Sequence, residues 1–224
     1  MIIIIGAGPA GSYLGYLLAK QGKDVTIFEE HSQIGAPVQC TGIVTHSIEK
    51  FFKLKNEVVA KRLDKVIVVS KNSRIIVDVD EIVMWRDKFD EFVAEMAQDA
   101  GAKILLNHRF AGFGGKNCIK IKDRKSNKTK EIKTDVIVGA DGPYSAVAKA
   151  AGMDSGSKNY IGMQANVRLK MDTTAFETYF GSDFPNFFGW CVPESGDTIR
   201  LGIGCFENAQ EHFYRFLKSR TGSR

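Results

Sequence analysis

The chain has 224 residues, of which 44% are hydrophobic and 25% are charged. This composition is ordinary for a globular protein and is sufficient for one large domain or two small ones. The net charge of +5 is mildly basic and falls short of the concentrated positive charge of a nucleic-acid-binding protein. The four cysteines form no Cys-x-x-Cys pair, so we predict neither a metal site nor a disulfide framework.

The sequence contains no apolar run that approaches the ~18 residues of a membrane span. Met1 leads directly into an isoleucine run, without the basic leader or the cleavage site of a signal peptide. Basic residues are most concentrated between 116 and 133, where alternating Ile and Lys around a polar turn predict an exposed hairpin. We therefore expect a cytoplasmic protein, in which any membrane contact is peripheral and at the inner face.

The N-terminal segment has the pattern of a dinucleotide-binding strand, loop and helix. The β-branched run Ile2–Ile5 predicts a strand that is buried on both faces, as in parallel sheets. A glycine-rich loop follows, and then leucines recur with helical spacing until Gly22. The helix is predicted from three of them, Leu14, Leu17 and Leu18.

The glycine-rich loop has the sequence Gly6-Ala-Gly8-Pro-Ala10-Gly11. Gly6 permits a tight turn, Gly8 lets the backbone approach a pyrophosphate, and Gly11 permits close packing of helix on strand. The helix N-terminus presents free N–H groups to the phosphates. Glu29 ends the next predicted strand at about the ~20-residue spacing of the acidic residue that binds the adenosine ribose. The segment predicts a site for NAD or FAD.

The segment that follows favours FAD, because residues 31–42 are not the start of a regular βα repeat. They form an irregular stretch of small residues that lets the backbone approach a ligand. The chain here resembles the p-hydroxybenzoate hydroxylase-like flavoproteins. Within them, its Gly-x-Pro-x-x-Cys-x-Gly stretch is similar to that of the geranylgeranyl reductase family. The resemblance implies that Cys40, Thr41 and Gly42 contact the flavin, with a small buried thiol as the alternative for Cys40.

The middle of the chain continues this resemblance. Asp87 is the predicted N-cap of a helix whose apolar face contains Phe89, Phe92, Val93 and Met96. The Arg-Asp-x-Phe-Asp pattern that begins at Arg86 also occurs in the family. It implies that Arg86 contacts the cofactor, with a surface ion pair as the alternative. Ala111 lies where the family's next strand reaches adenine through its backbone.

A second motif, Gly139-Ala-Asp141-Gly, ends the apolar strand that begins at Asp135, and Ser145 is predicted to cap the helix after it. At the end of a buried strand, Asp141 needs a polar partner, which a ribityl or ribose hydroxyl would provide. The segment resembles the Gly-Asp motif of flavin hydroxylases and reductases. The resemblance therefore implies that Asp141 lies near the cofactor, and a structural turn is the alternative.

The last third of the chain predicts a second sheet of antiparallel strands, at 164–170, 177–180 and 198–203. The aromatic segment 184–193 is expected to lie between strands, close to a turn, and to form the wall of an apolar cavity. Its Phe-x-Trp-x-x-Pro stretch resembles that of geranylgeranyl reductases, with Phe188 where Tyr is usual. We predict that this segment contributes to a substrate pocket, and packing in the core is the alternative. The predicted pocket residues are Tyr179, Phe188, Trp190 and Pro193.

Together these features predict an α/β fold with an FAD-binding Rossmann-like domain of the p-hydroxybenzoate hydroxylase and glutathione reductase type. This domain is expected to span 1–155, with β-hairpins near 64–80 and 116–134. An inserted antiparallel β-sheet domain for the substrate is expected to begin at 156 and to be incomplete at 224. Family members continue with another FAD-binding segment and a helical part, so we expect the chain to be C-terminally truncated.

The resemblance implies an FAD-dependent reductase of C=C bonds in the geranylgeranyl chains of archaeal membrane lipids. Reduced flavin would supply hydride, and Cys40 is the candidate proton donor. The expected partners are an isoprenoid lipid and an external electron donor, which would be ferredoxin, reduced coenzyme F₄₂₀ or NAD(P)H. One alternative is an FAD-dependent monooxygenase or halogenase of the same fold. The other is a truncated FAD-binding fragment without activity.

Overall fold

The computed structural model describes residues 1–38, 40–153, 156 and 158–222. It contains two compact units, each built from two separate segments of the chain. The first unit comprises residues 1–38 and 87–157, and the second comprises residues 39–86 and 158–224. The domain boundary predicted at residue 155 falls outside the described residues.

The chain consists mostly of strands, with helices between groups of strands. The strands are β1 (Ile2–Ile5), β2 (Val25–Phe28), β3 (Ile43–Thr45), β4 (Val59–Val69), β5 (Arg74–Met84), β6 (Lys103–Leu105), β7 (His108–Phe113), β8 (Cys118–Asp123), β9 (Thr129–Lys133), β10 (Val136–Gly139), β11 (Ile161–Arg168), β12 (Ala175–Tyr179), β13 (Gly189–Ser195) and β14 (Thr198–Cys205). The α-helices are α1 (Pro9–Lys20), α2 (Arg86–Asp99), α3 (Ala146–Ala150) and α4 (Ala209–Thr221). A short 3-10 helix covers His46–Lys50.

The first unit is built around a parallel sheet in the order β10-β1-β2-β6. Strand β1 pairs in parallel with β2 on one side and with β10 on the other. Ile3 and Ile4 are completely buried, as the β-branched run predicts for a strand that is covered on both faces. A separate antiparallel sheet, β7-β8-β9, belongs to the same unit and includes the basic hairpin of β8 and β9.

Helix α1 forms where its leucine spacing predicts a helix, and Leu14 and Leu18 are partly buried against the core of this unit. Leu17 is 39% exposed. A Cβ atom at Gly15 would lie 2.6 Å from Cδ1 of Ile27 on β2, so a leucine at that position would not fit. The buried residues of the helix are Gly11, Ser12, Gly15 and Ala19.

Helix α2 begins two residues earlier than an N-cap at Asp87 predicts. Its first residue is Arg86, so Asp87 lies in the first turn, and its prediction as the N-cap was wrong. The carboxylate of Asp87 is still favourably placed there, because the first turn carries the positive end of the helix dipole. Phe89 and Val93, from the predicted apolar face, are buried.

The second unit contains a seven-stranded sheet in the order β11-β14-β13-β12-β4-β5-β3. Its neighbouring strands are antiparallel except for β12 and β4, which run parallel. The β-hairpin predicted near 64–80 is formed by β4 and β5, in which Val66 lies opposite Val77 and Val68 lies opposite Ile75.

Strand β13 corrects the sequence analysis, which placed its residues near a turn between strands. Gly189 to Glu194 are buried in the strand, which lies between β12 and β14. Pro193 argues against a strand on sequence alone, because proline cannot donate a ladder hydrogen bond. The sheet accommodates it with a shift in register between Pro193 and Ser195.

The two faces of this sheet have different cores. On one face, α4 contributes Phe213 and Phe216 to a core that includes Cys191 and Leu201. The other face has a separate core of Leu63, Val83, Trp190 and Val192. Because successive side chains of a strand point to opposite faces, Cys191 and Trp190 must belong to different cores. Among the described residues, no helix is long and apolar enough to cross a membrane.

Candidate functional site

Two glycines where β1 leads into α1 have no room for a side chain. Gly6 has a φ of +100°, and a Cβ atom there would lie 2.3 Å from the carbonyl oxygen of Ala140. A Cβ atom at Gly11 would lie 2.0 Å from the carbonyl oxygen of Gly6. The neighbouring atoms belong to the backbone and cannot move aside easily. The tight turn and the close helix packing predicted for these glycines are therefore confirmed.

Gly8 differs from these two glycines, because none of the described residues lies where its side chain would be. Its φ is −66°, and a Cβ atom there would meet no atom within 4 Å. Gly8 is the N-cap of α1 and makes no side-chain capping bond, and exposed Ala10 follows in the first turn. An uncapped helix N-terminus with open space above it fits the pyrophosphate of a dinucleotide.

Glu29 lies directly after β2, and its carboxylate turns back onto this loop. Oε2 accepts a hydrogen bond from the N–H of Ala7 at 2.8 Å. Oε1 accepts one from the N–H of His31 at 2.9 Å and lies 2.7 Å from Nδ1 of the same residue. A carboxylate has about four lone-pair positions, so these partners leave capacity for ribose hydroxyls. The bond to Ala7 gives Glu29 a structural role that the sequence analysis missed.

Asp141 has protein partners for both of its carboxylate oxygens. Oδ1 accepts a hydrogen bond from the Ser145 hydroxyl at 2.6 Å, and Oδ2 accepts one from the N–H of Val147 at 3.1 Å. The Ser145 oxygen in turn accepts the N–H of Ala148 at 2.9 Å, which confirms Ser145 as the cap of α3. Asp141 is half-buried, and the polar partners that it needs are supplied within the protein. Contact of Asp141 with the cofactor stays a prediction.

The structure brings most of the predicted residues of the first unit together. The Cβ position of Gly6 would lie 3.1 Å from Cα of Asp141. Strand β7 starts beside Glu29, because the N–H of His108 donates to the Glu29 carbonyl at 2.8 Å. Ala111 lies further along β7, at a shift in register where it has no residue opposite it on β8. This β-bulge takes the backbone of Ala111 out of the regular ladder, which suits the predicted backbone contact to adenine.

Cys40, Thr41 and Gly42 lie in the second unit, immediately before β3. Cys40 is exposed, which argues against the alternative of a buried packing thiol, and its sulfur accepts the N–H of Gly42 at 3.4 Å. Gly42 has a φ of +78° and contacts half-buried Arg86, since a Cβ atom there would lie 3.3 Å from Cγ of Arg86. The Gly42 carbonyl accepts the N–H of Met84 at 2.8 Å.

Arg200 is a buried residue beside this loop that the sequence analysis missed. It is 3% exposed, and its Nη1 donates to the carbonyl of Thr41 at 2.6 Å. A signal for it was present in the sequence, because it is the one charged residue within the apolar run Ile199–Ile203. An arginine at such a position is buried only if its guanidinium finds partners.

The aromatic residues of the second unit form a continuous row of rings, which we call the aromatic row. Phe187 stacks on Phe188 with centroids 4.3 Å apart, and Phe188 meets Trp190 at 6.0 Å. Tyr160 joins Phe187 at 4.6 Å. Two further rings complete the row, which then comprises Tyr160, Phe180, Phe187, Phe188, Trp190 and Phe206.

Glycines in β14 let the aromatic row lie close against the strand. A Cβ atom at Gly202 would be 2.5 Å from the Trp190 ring, and one at Gly204 would be 2.6 Å from the Phe187 ring. The indole N–H of Trp190 donates to Oε1 of Gln164 at 3.0 Å, which fixes the ring orientation. Phe187 is still 39% exposed. The row thus presents a partly exposed apolar surface that is held in a defined geometry.

The structure does not bring all four predicted pocket residues together. Tyr179 belongs to the core under α4, whereas Trp190 belongs to the core on the opposite face. Pro193 pairs with Ile199, which is also part of the α4 core. Burial and a hydrogen bond to Glu177 raise the pKa of Tyr179 far above its usual value. Of the four residues, Phe188 and Trp190 alone belong to the aromatic row.

Comparison with known proteins finds relatives along the whole chain. Residues 1–222 match the family described as FAD binding domain. The chain is 30% identical to digeranylgeranylglycerophospholipid reductase 1 of Methanothermobacter thermautotrophicus, over 100% of the chain and 62% of that protein. The chain therefore spans about three fifths of that relative's length. The predicted resemblance and the FAD cofactor are confirmed.

Solved structures share the fold. A geranylgeranyl bacteriochlorophyll reductase-like protein of Thermoplasma acidophilum superposes with a TM-score of 0.89 at 23% identity, over 99% of this chain and 62% of that one. The halogenase PltM in complex with phloroglucinol and FAD gives 0.71 at 16% identity, over 98% and 55%. These similarities confirm the predicted fold class.

Proposed function

Because the chain belongs to the FAD binding domain family of flavoproteins, we propose that it is the FAD-binding part of a reductase of C=C bonds in geranylgeranyl lipids. The observation that carries this proposal is the aromatic row, an ordered and partly exposed apolar surface in the second unit. Its support from outside the structure is the name of the Methanothermobacter relative, a digeranylgeranylglycerophospholipid reductase.

The first unit would hold the adenosine and pyrophosphate part of the cofactor. The N–H groups of the first turn of α1, which begins after Gly8, would bind the phosphates. Glu29 would accept the ribose hydroxyls, and the backbone of Ala111 would contact adenine. Asp141 would add a contact to a hydroxyl of the cofactor, next to its bonds within α3.

In the second unit, Cys40, Thr41, Gly42 and Arg86 are the proposed contacts to the flavin part. FAD, once reduced by an external donor, supplies the hydride for the alkene. The Cys40 thiol would donate a proton from Sγ to the other carbon of the double bond and regain one from water. Its exposure supports this role, because a donor must be reachable by both substrate and solvent.

The aromatic row would bind the isoprenoid chain and exclude water from it. An isoprenoid offers no hydrogen-bonding group along its length, so its binding must come from buried apolar area at roughly 25 cal/mol per Å². Phe187 offers such area, being 39% exposed. Tyr179 and Pro193 face the α4 core and are left out of this surface.

A monooxygenase or halogenase function is the second candidate, because the fold is shared with the FAD-bound halogenase PltM. The two candidates differ in their need for oxygen. A reductase turns over without it once its flavin is reduced, whereas a monooxygenase or halogenase does not. Turnover under strict anaerobiosis therefore separates them.

Phe187→Ala in the full-length protein tests the proposed substrate surface. We expect a KM for long isoprenoid lipids that is raised by roughly threefold to sevenfold. Burying a whole Phe side chain is worth ~1.5–3 kcal/mol, and the 39% of Phe187 that is exposed accounts for about 0.6–1.2 kcal/mol of this. Flavin content should not change. Tyr214→Ala is the matched control, because Tyr214 is an exposed aromatic residue on α4 outside the aromatic row. If the two variants changed the KM equally, or if neither changed it, the aromatic row would be excluded as the substrate surface.

A further inference from the structure

Arg200 on β14 is held by a buried carboxylate on the neighbouring strand β13. Its Nε and Nη2 both lie 2.6 Å from Oε1 of Glu194, which is 5% exposed. The other oxygen of Glu194 accepts the side-chain N–H of Asn166 at 3.0 Å. Asn166 on β11 also lies opposite Arg200 on β14 in the strand register. The carboxylate and amide thus fix the direction in which the guanidinium points.

The remaining guanidinium nitrogen, Nη1, points at the loop that precedes β3. It donates to the carbonyl of Thr41 at 2.6 Å and to the carbonyl of Met84 at 3.0 Å. These two carbonyls belong to segments that are far apart in sequence but adjacent through the bond from Met84 N–H to the Gly42 carbonyl. One arginine therefore joins the loop to the end of β5.

Gly42 is the residue that makes room for this arginine. A Cβ atom there would lie 2.7 Å from Nη1 of Arg200 and 2.6 Å from the carbonyl oxygen of Met84. The guanidinium carbon also lies 5.5 Å from the centre of the Trp85 ring, which covers the cation. The loop conformation, the missing side chain at Gly42 and the buried cation depend on one another.

We infer that Arg200 is a positioning residue, which holds Cys40, Thr41 and Gly42 in the conformation that the reaction requires. The inference rests on the proposed function, which assigns this loop to the flavin and Cys40 to proton donation. Arg200 acts through the Thr41 carbonyl. It fixes the loop without contacting the reacting atoms, and a cation that bridges two carbonyls is stronger than a neutral donor in the same place.

The test compares two double variants of the full-length protein. The double variant Arg200→Gln, Glu194→Gln removes the buried ion pair and the bonds of the Arg200 guanidinium to the loop, and it leaves no buried charge unpaired. Arg220→Gln with Glu177→Gln is the matched control, since it removes another Arg–Glu pair of this unit, joined at 3.0 Å, that does not contact the loop. Hydrogen exchange of the peptide covering residues 40–45 reports the loop. Single-turnover alkene reduction by pre-reduced enzyme reports its consequence.

In the Arg200→Gln, Glu194→Gln double variant we expect hydrogen exchange at residues 40–42 to be at least about tenfold faster than in wild type. The rate constant of alkene reduction should be at least about tenfold lower. Flavin content and the control pair should stay at wild-type values. Arg200→Lys keeps a positive charge opposite Glu194, so its reduction rate should lie between those of the double variant and the wild type. Unchanged exchange, equal acceleration in both pairs, or accelerated exchange with an unchanged reduction rate would each overturn the inference.

Failure of the proposed function is a distinguishable result. If the wild-type protein reduces no geranylgeranyl chain, the function is refuted. If exchange at residues 40–42 were then slow in wild type and fast in the Arg200→Gln, Glu194→Gln double variant, Arg200 would still be the residue that holds the loop. Its role in the reaction would be refuted together with the proposed function.

Discussion

Gly8→Ala should separate cofactor binding from folding. The φ of −66° and ψ of 177° at Gly8 are accessible to alanine, and its Cβ atom would meet no protein atom within 4 Å. Alanine lowers the entropy of the unfolded chain, which stabilises the fold by about 0.4–1 kcal/mol. It is also a poorer N-cap than glycine, and this offsets part of that gain. We therefore expect the melting temperature of the apoprotein to shift by no more than about 2–4 °C.

FAD binding by the same variant should weaken strongly. The added methyl group would occupy the open space above the first turn of α1, where the pyrophosphate is expected to approach. Loss of one or two charge-assisted hydrogen bonds, at about 1.5–3 kcal/mol each, corresponds to a Kd raised by at least roughly tenfold. Titration of the full-length apoprotein, followed by flavin fluorescence, measures this change.

Gly11→Ala is the contrasting control, because its Cβ atom would lie 2.0 Å from the carbonyl oxygen of Gly6. It should destabilise the apoprotein itself and lower the yield of folded protein. A Gly8→Ala protein with the wild-type Kd for FAD would refute the placement of the pyrophosphate at this helix N-terminus.

Three further predictions follow from single residues. Glu29→Arg should lower flavin content after gel filtration, because the bond to Ala7 and the ribose acceptor are lost together; wild-type occupancy would disprove the assignment. Cys40→Ser should keep FAD but slow alkene reduction, because a hydroxyl is a weaker acid than a thiol, and an unchanged single-turnover rate would leave Cys40 without a catalytic role. Burial raises the pKa of the Cys191 thiol from 9.0 to about 11, so as pH rises the unfolded state loses this proton before the folded state does. The free energy of unfolding should therefore fall by ~2–3 kcal/mol between about pH 9 and pH 11. Urea unfolding across this range measures the fall, and Cys191→Ala should reduce it; an equal fall in the variant would contradict the assignment.

Local features of the fold could be predicted because their causes are local. The isoleucine run, the turn at Gly6 and the following helix lie within one short segment, and each residue has one evident physical role there. The cap at Ser145 is local in the same sense, since its oxygen accepts an N–H three residues away. One detail of α1 was not evident. Leu14 and Leu18 pack against the core as their spacing predicts, but the spacing does not reveal that Gly15 lies too close to Ile27 for a side chain.

Features that depend on distant segments could not be predicted. The parallel pairing of β4 with β12 joins residues more than a hundred positions apart, and no turn residue specifies it. The bond between Arg200 and Thr41 spans 159 positions. The strand alternation of β12 and β13 separates Tyr179 from Trp190, and this separation becomes evident only once β13 is known to be a strand.

We propose that this chain is part of a reductase that saturates geranylgeranyl lipids. The most direct measurement is mass spectrometry of such a lipid after anaerobic incubation with the full-length protein, its flavin chemically reduced beforehand. We expect a gain of two hydrogens for each double bond reduced, with no oxygen or halogen incorporated. An unchanged lipid from fully reduced enzyme, or turnover that requires oxygen, would contradict it.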